Sequence, residues 1–387
     1  MAMQPGEYCR FESNAYTDEV AGKTVRRVTA EGAWCRHPYF YFRMWTPDSS
    51  RVVVVSNRDD GRWRLYLVEV DTGEAACLTD DPTLASGMAE LSRDGATMLY
   101  GTATALRRVD LRTFQAETLY RQEAPWTGRG VYFSATADHT RAALVQIHAE
   151  DVIPAKTGWD AFEAQFRARP RSRLVDVDLA TGTETVLLEQ HCHFGHPNYR
   201  PDGRTIMFCH EGPWDLVDSR LWFIDPDGTN LREGRKRKPD IPPGKGAERW
   251  GHEYWLADSS RAAYEYYPSR EENAVTSINL LDPDTLAEEV VMTATRFAHF
   301  QSNRDNRLIV GDGHPTLSGN IVLVDVPTKT ERSVCRHGSS MKPYIDPLTG
   351  KPETQMVHPH AAFSPDSRRV VYSSDLHGAP AVYVVDV

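Results

Sequence analysis

The feature that most restricts the fold of this chain is a turn that returns seven times. Its aspartates stand in Pro47-Asp48-Ser49, Arg93-Asp94-Gly95, Ala137-Asp138-His139, Pro201-Asp202-Gly203, Ala257-Asp258-Ser259, Arg304-Asp305-Asn306 and Pro365-Asp366-Ser367, at intervals of 44 to 64 residues. After each turn come a short apolar run, a gap and a second run; residues 51–55 and 63–70 make the first pair, 369–373 and 381–385 the last. Short strand-like runs repeating at this period are what four-stranded propeller blades require. The seventh repeat reaches residue 387 with no outermost strand left, and residues 22–29, within a closing segment taken as 16–29, have the alternation and length to supply one. Such closure leaves the ring without an open seam. The expectation is an all-β chain, a seven-bladed β-propeller forming a single domain over residues 1–387, its ring closed by an N-terminal strand that completes the last blade. Blade three carries an insertion at 150–172, where Trp159, Phe162 and Phe166, spaced three and four apart, predict a short amphipathic helix.

The same turn sets a register. Counting back six residues from each aspartate gives Phe42, Met88, Tyr132, His196, His252, His299 and His360. Histidine thus holds one equivalent position in four successive repeats of a chain with only 14 histidines. The strand bearing this position precedes the turn, so it is the innermost of its blade, and the four imidazoles are expected along one arc of the central channel. The last belongs to Gln355-Met356-Val357-His358-Pro359-His360. In an extended segment His358 and His360 point the same way, because side chains alternate across a strand. The Gln355 amide can bring an oxygen beside them.

His299, Gln355, His358 and His360 therefore form a candidate metal site from neighbouring blades six and seven. Imidazoles and an amide oxygen suit a borderline-to-hard divalent cation, and zinc or nickel would be accepted as readily as manganese. Four protein ligands of a five- or six-coordinate ion leave positions open, as catalytic sites do. With no carboxylate among them, the cation keeps its charge and favours an anionic ligand. His252, outside this cluster, is placed to act as a proton acceptor, neutral near pH 7 beside a cation; its alternatives are a further ligand and a structural histidine. The loop His210-Glu211-Gly212-Pro213-Trp214-Asp215-Leu216-Val217-Asp218-Ser219-Arg220 is polar and dense enough to be functional. Arg220 could hold a carboxylate through two parallel hydrogen bonds or pair with Asp218. His196 is divided between ligand contact and structure. The run Arg235-Lys236-Arg237-Lys238 reads as a solvated loop.

Composition excludes other classes. A net charge of −10 argues against a nucleic-acid or anionic-membrane partner. The apolar fraction of 40% and 9 Trp with 16 Tyr describe a packed globule. The six cysteines make no CxxC pair, so neither a zinc ribbon nor a disulfide framework is expected. No stretch is long and apolar enough to cross a bilayer, and no basic segment leads into an apolar run at the start; a cytoplasmic protein with no obligate protein partner is expected.

The segments HPNYRPDG (196–203), FCHEGPWDLVDSRLWFIDPDGTN (208–230), GHEYWLADSS (251–260), HFQSNRDNRLIVGDG (299–313) and QMVHPHAAFSPD (355–366) resemble those of the oligogalacturonate lyases, propeller enzymes of pectin breakdown. The resemblance runs over nearly the whole chain. It implies that His299, Gln355, His358 and His360 are manganese ligands and that His252 is the base. It also implies that Arg220 is a substrate-binding arginine in the catalytic set; His196, from the register, and His210 and Glu211, from the polar loop, are read as further substrate contacts. The implied reaction is β-elimination of short oligogalacturonides, chiefly digalacturonate, giving an unsaturated monomer that rearranges to a 5-keto-4-deoxyuronate. Residues 337–354 and the basic connection 235–249 depart from the family pattern, so another uronic-acid oligosaccharide is an alternative substrate. The alternative from a different class is a non-catalytic TolB-like or WD-repeat binding propeller, which has no reason to place histidine at one register in four blades.

Overall fold

A computed structural model describes residues 3–30, 32–128, 130–153, 158–239, 244, 248–268, 275–294, 297–313, 319–346, 350, 352–353 and 355–387. Among these described residues, seven antiparallel sheets of four or five strands, with one two-stranded ribbon, make the protein an all-β, seven-bladed propeller. The chain divides into two compact units, Met1–Tyr100 with Arg107–Glu117 and Arg296–Val387, and Gly101–Leu106 with Thr118–Thr295.

The recurring turn is built by local chemistry. In all seven blades the aspartate Oδ1 accepts the backbone N–H two residues on, from Ser50, Ala96, Thr140, Arg204, Ser260, Arg307 and Arg368, at 3.0–3.2 Å. The residue between has a left-handed backbone each time, with φ from 55° at His139 to 74° at Gly203. An Asx turn of this kind needs only the short carboxylate and a residue tolerant of positive φ. The strands that follow are covered on both faces, so they read as unbroken apolar runs. Arg51–Ser56, with four consecutive valines, is buried at every position after the first.

In the first unit, blade six is Phe297–Ser302, Leu308–Gly313, Asn320–Asp325 and Thr330–Arg336. Blade seven has Ala362–Phe363 innermost, then Arg369–Ser374 and Ala381–Asp386. Val310, Ile321 and Leu323 of blade six pack with Val370, Tyr372, Tyr383 and Val25 of blade seven. In the second unit, blade four (Phe194–Tyr199, Ile206–His210, Leu221–Ile224, Arg232–Glu233) lies between blades three and five. Phe194, Ile206 and Phe208 face Ala143, Val145 and Leu174, while Met207, Leu221 and Phe223 face Trp250, Trp255 and Tyr264. These cores fix the inner strands that carry the histidine register. The expected helix of the insertion is Gly158–Ala168, whose Phe166 ring presses on Gly212 of the 210–220 loop. Residues 154–157 and the Trp159 side chain lie outside the described residues.

Four expectations need correction. The strand closing blade seven is Thr24–Thr29, paired with Ala381–Asp386, and not the whole of 16–29; Glu12–Thr17 adds a fifth strand outside it. Phe42 sits in a turn, its N–H bonded to the Tyr39 carbonyl. The segment from Gln355 to His360 is a turn and an irregular stretch rather than a strand, so alternation does not orient its histidines. The basic run is only half solvated. Arg235 and Arg237 are buried, the first against Glu288 and the Tyr264 hydroxyl, the second donating to the carbonyls of Trp214 and Val217. Lys236 stays in solvent and pairs with Glu233.

Blade closure makes one prediction. Removing residues 1–29 uncovers the edge of Ala381–Asp386, with its buried Val382 and Val384. The shortened chain should aggregate or lose its cooperative thermal transition, as followed by circular dichroism. A soluble product with an unchanged midpoint would show that the terminal strands add no stability.

Candidate active-site clusters

Three of the four register histidines, His299 excepted, depart from regular strand geometry. In blades four and five the pairing of the inner strand with its neighbour shifts between Gly195 and Asn198, and between Gly251 and Tyr254. His196 and His252 lie in those bulges with φ of 46° and 58°; His360 has φ of 48°. A bulge re-aims a side chain that would otherwise follow the pleat. Such conformations cost on the order of 1–3 kcal/mol each outside glycine and persist where the surroundings over-determine them. Glycine precedes both bulged histidines for lack of space: a Cβ at Gly195 would strike the Glu211 side chain, and one at Gly251 would lie 2.5 Å from the Trp214 ring.

In the first unit, His299, His358 and His360 offer nitrogens that all lie within 4.8 Å of one another. Their ring centroids are 4.1 Å apart for His299 and His360, 5.5 Å for His299 and His358, and 5.6 Å for His358 and His360. Gln355 Oε1 is buried and has no hydrogen-bond partner among the described residues. An orphaned acceptor beside a turn that carries two imidazoles fits a missing electropositive partner.

What holds this cluster was not read from the sequence. Asp312, fully buried at the end of Leu308–Gly313, accepts from His299 Nδ1 at 2.9 Å and from the backbone N–H groups of His299 and His360. One carboxylate thus fixes a ring and two backbone positions, and sets Nδ1 as the donor nitrogen of His299. Its signal was an acid inside the apolar string LIVGDG. The Pro359 carbonyl accepts from Ser373 N–H at 2.9 Å and from His37 Nε2 at 3.0 Å. Burial pushes the His37 imidazole down to about 4. Tyr39 stands edge-on to His360 at 4.6 Å.

In the second unit, Arg220 is almost wholly buried and its guanidinium joins two carboxylates. Nε donates to Glu253 Oε1 and Nη1 to Glu211 Oε2, each at 2.8 Å. Asp218, the partner suggested by sequence, is not used. Glu211 also meets His196 Nδ1. Burial alone would raise the Glu211 carboxyl; the Arg220 charge and the His196 ring outweigh it and hold the group well below its ordinary 4.5. The Trp214 ring lies between this network and His252, 5.4 Å from the Arg220 guanidinium and 4.9 Å from the imidazole. His252 Nδ1 is 3.8 Å from Glu265 Oε2.

His210 does not join these residues. Its ring is stacked between Phe194 and Trp222, at 5.5 and 4.7 Å, and burial lowers it to about 4. That is a position set by aromatic packing. His196, Glu211 and Arg220 do come together, and so do His299, His358 and His360.

An all-β propeller with clustered imidazoles backed by buried carboxylates has the equipment of a metal-assisted acid–base enzyme. Comparison with known proteins agrees. The family described as oligogalacturonate lyase matches residues 3–387, and the chain belongs to that family. It is 32% identical to the oligogalacturonate lyase of Dickeya dadantii (strain 3937) over 400 residues, covering 100% of this chain and 98% of the relative. Identity to the oligogalacturonide lyase of Pectobacterium atrosepticum is also 32%, with the same coverage. Among solved structures, an oligogalacturonate lyase in complex with manganese is similar with a TM-score of 0.90 at 33% identity, covering 100% of this chain and 98% of that one. An oligogalacturonate lyase from Vibrio parahaemolyticus gives 0.89 at 30%, covering 99% of each.

The buried ion network is testable. Arg220→Ala strands two buried carboxylates and should cost about 3–5 kcal/mol near neutral pH. Glu211 is depressed, so its contribution is present above 4.5 and lost as pH falls below that. The stability gap between wild type and variant, measured by urea unfolding, should therefore narrow on acidification below pH 4.5. A gap that is constant with pH would mean that Arg220 does not hold Glu211 ionised.

Proposed function

We propose that the protein is a metal-dependent lyase that cleaves short oligogalacturonides, digalacturonate first, by β-elimination. The observation that carries this reading is the convergence of His299, His358 and His360 in a chain that belongs to the oligogalacturonate lyase family. These three imidazoles, with the Gln355 amide oxygen, would hold the cation. Manganese is supported by the similar lyase solved in complex with it. The donors are neutral, so a cation there would supply Lewis acidity toward a uronate carboxylate.

The residues of this chain account for the proton transfer. The C5 hydrogen of a uronate is weakly acidic, because its loss places a second negative charge beside the carboxylate. His252, aimed out of its strand by the bulge, accepts that proton. The C5–H electron pair becomes the C4–C5 double bond, and the C4–O pair leaves with the glycosidic oxygen, which takes up a proton. The unsaturated product then rearranges to the 5-keto-4-deoxyuronate. His196, Glu211 and Arg220 are assigned to the substrate side; because Arg220 already serves two carboxylates, its role is to set the geometry of Glu211 and His196. All six cysteines are unpaired, which supports a reducing, cytoplasmic setting. No helix among the described residues is long and apolar enough to cross a membrane.

Incubation with digalacturonate should raise the absorbance of an unsaturated or keto-sugar product, and exhaustive chelation should abolish it until manganese is restored. Turnover that survives complete metal removal would end the Lewis-acid reading. Asp312→Asn should weaken manganese binding about 10–100-fold, as measured by titration calorimetry. Unchanged affinity would show that the carboxylate behind His299 does not organise the ligand.

A further inference from the structure

Three of the four register histidines have an acid behind them, on the next strand or just past its end. His299 has Asp312, His196 has Glu211, and His252 has Glu265. The first two pairs are in hydrogen-bond contact. Glu265, like Asp312 fully buried, sits inside Ala262–Tyr267, directly across the bulge from Gly251, and differs in standing farther from its histidine. A carboxylate in such a place is costly unless its oxygens are engaged. The Tyr267 hydroxyl donates to Oε2 at 2.6 Å, and the same oxygen faces His252 Nδ1 at 3.8 Å.

We propose that Glu265 is the positioning carboxylate of His252, fixing the tautomer with Nδ1–H toward Glu265 so that Nε2 accepts the C5 proton, and balancing the imidazolium that results. This rests on His252 being the base. The Nδ1 to carboxylate distance is long for a hydrogen bond, as resting acid–base pairs often are, and shortens once the ring is charged. Tyr267 pins that same carboxylate oxygen, and the Arg249 guanidinium lies 4.8 Å from the Tyr267 ring. From the loop side His252 meets Trp214, which is uncharged, with Arg220 beyond it. Arg220 is already met by Glu211 and Glu253, so Glu265, 3.8 Å from Nδ1, is the acid set against the His252 ring itself. The logic is that of a buried acid orienting an imidazole by holding one nitrogen protonated.

The test uses the full-length, manganese-loaded protein and its variants Glu265→Gln and His252→Ala. Glu265→Gln should keep KM within about threefold while kcat falls about 10²–10⁴-fold, a loss comparable to that from removing a general base or its orienting acid. The acidic limb of kcat/KM should move to lower pH, since a carboxylate near an imidazole favours its charged form. In wild type, ¹⁵N NMR of the His252 ring should show the Nδ1–H tautomer. An Nε2–H tautomer overturns the proposal even if the glutamine variant fails to fold. So does a Glu265→Gln enzyme with wild-type kcat and pH profile while His252→Ala is inactive. Full activity in His252→Ala is a different failure, that of the base assignment itself.

Discussion

A carboxylate enclosed in a β-sheet is the constraint from which the candidate site follows. Transfer of an ionised group out of water is far costlier than any single packing contact can offset, so each buried acid must be met by hydrogen-bond donors fixed in place. Asp312 is met by a ring nitrogen and two backbone N–H groups, Glu211 by a guanidinium and an imidazole, and Glu265 by a phenol beside an imidazole. In each case the donor that answers the acid is, or adjoins, a register histidine. The acid therefore does not merely tolerate the histidine's position; it dictates ring rotation, and at Asp312 the backbone path as well.

The bulges show the cost of that arrangement. Left-handed backbones at His196, His252 and His360 oppose folding, and so does the loss of ladder hydrogen bonds where the pairing slips. Opposing them are cores in which large side chains are sealed on both sides of the strand, Trp250 next to Gly251 and Phe194 next to Gly195 among them. Burial of one such aromatic is worth roughly 1.5–3 kcal/mol, about the cost of one strained residue. Strain and core stability are thus placed on adjacent residues of one strand, which keeps the distortion local to the histidine.

The repeat was legible because its chemistry is local. An Asx turn is complete within three residues, so seven aspartates in register announce seven blades, and the histidine register follows by counting. The acids behind the histidines were hidden for the opposite reason. Glu265 and Asp312 each lie 13 residues after their histidine, on the neighbouring strand, and Glu211 lies 15 after His196, just past its end; apart from the apolar string around Asp312, nothing in a one-dimensional pattern distinguishes them from surface charges. Arg235 and Arg237 were misjudged because a basic run is usually solvated. Here the two-residue alternation of the chain sends every other side chain inward, to carbonyls and acids the sequence does not advertise. His358 and His360 were rightly paired for the wrong reason: a turn bound at the Pro359 carbonyl, and not a strand, brings them together.

The separation of ligands from acids also bears on how a protein of net charge −10 can take an anionic substrate. Were Asp312 itself a ligand, it would cancel half the charge of a divalent ion before any uronate arrived. Placed one hydrogen bond away, it fixes His299 while the proposed donor set of three imidazoles and an amide stays neutral. The field of a cation held there would remain available to a substrate carboxylate, as electrostatic complementarity demands where the charge of the whole protein is repulsive. Orientation and charge are thereby controlled by different atoms, and either could change without the other: an acid moved into the ligand shell would keep the cation and lose the substrate.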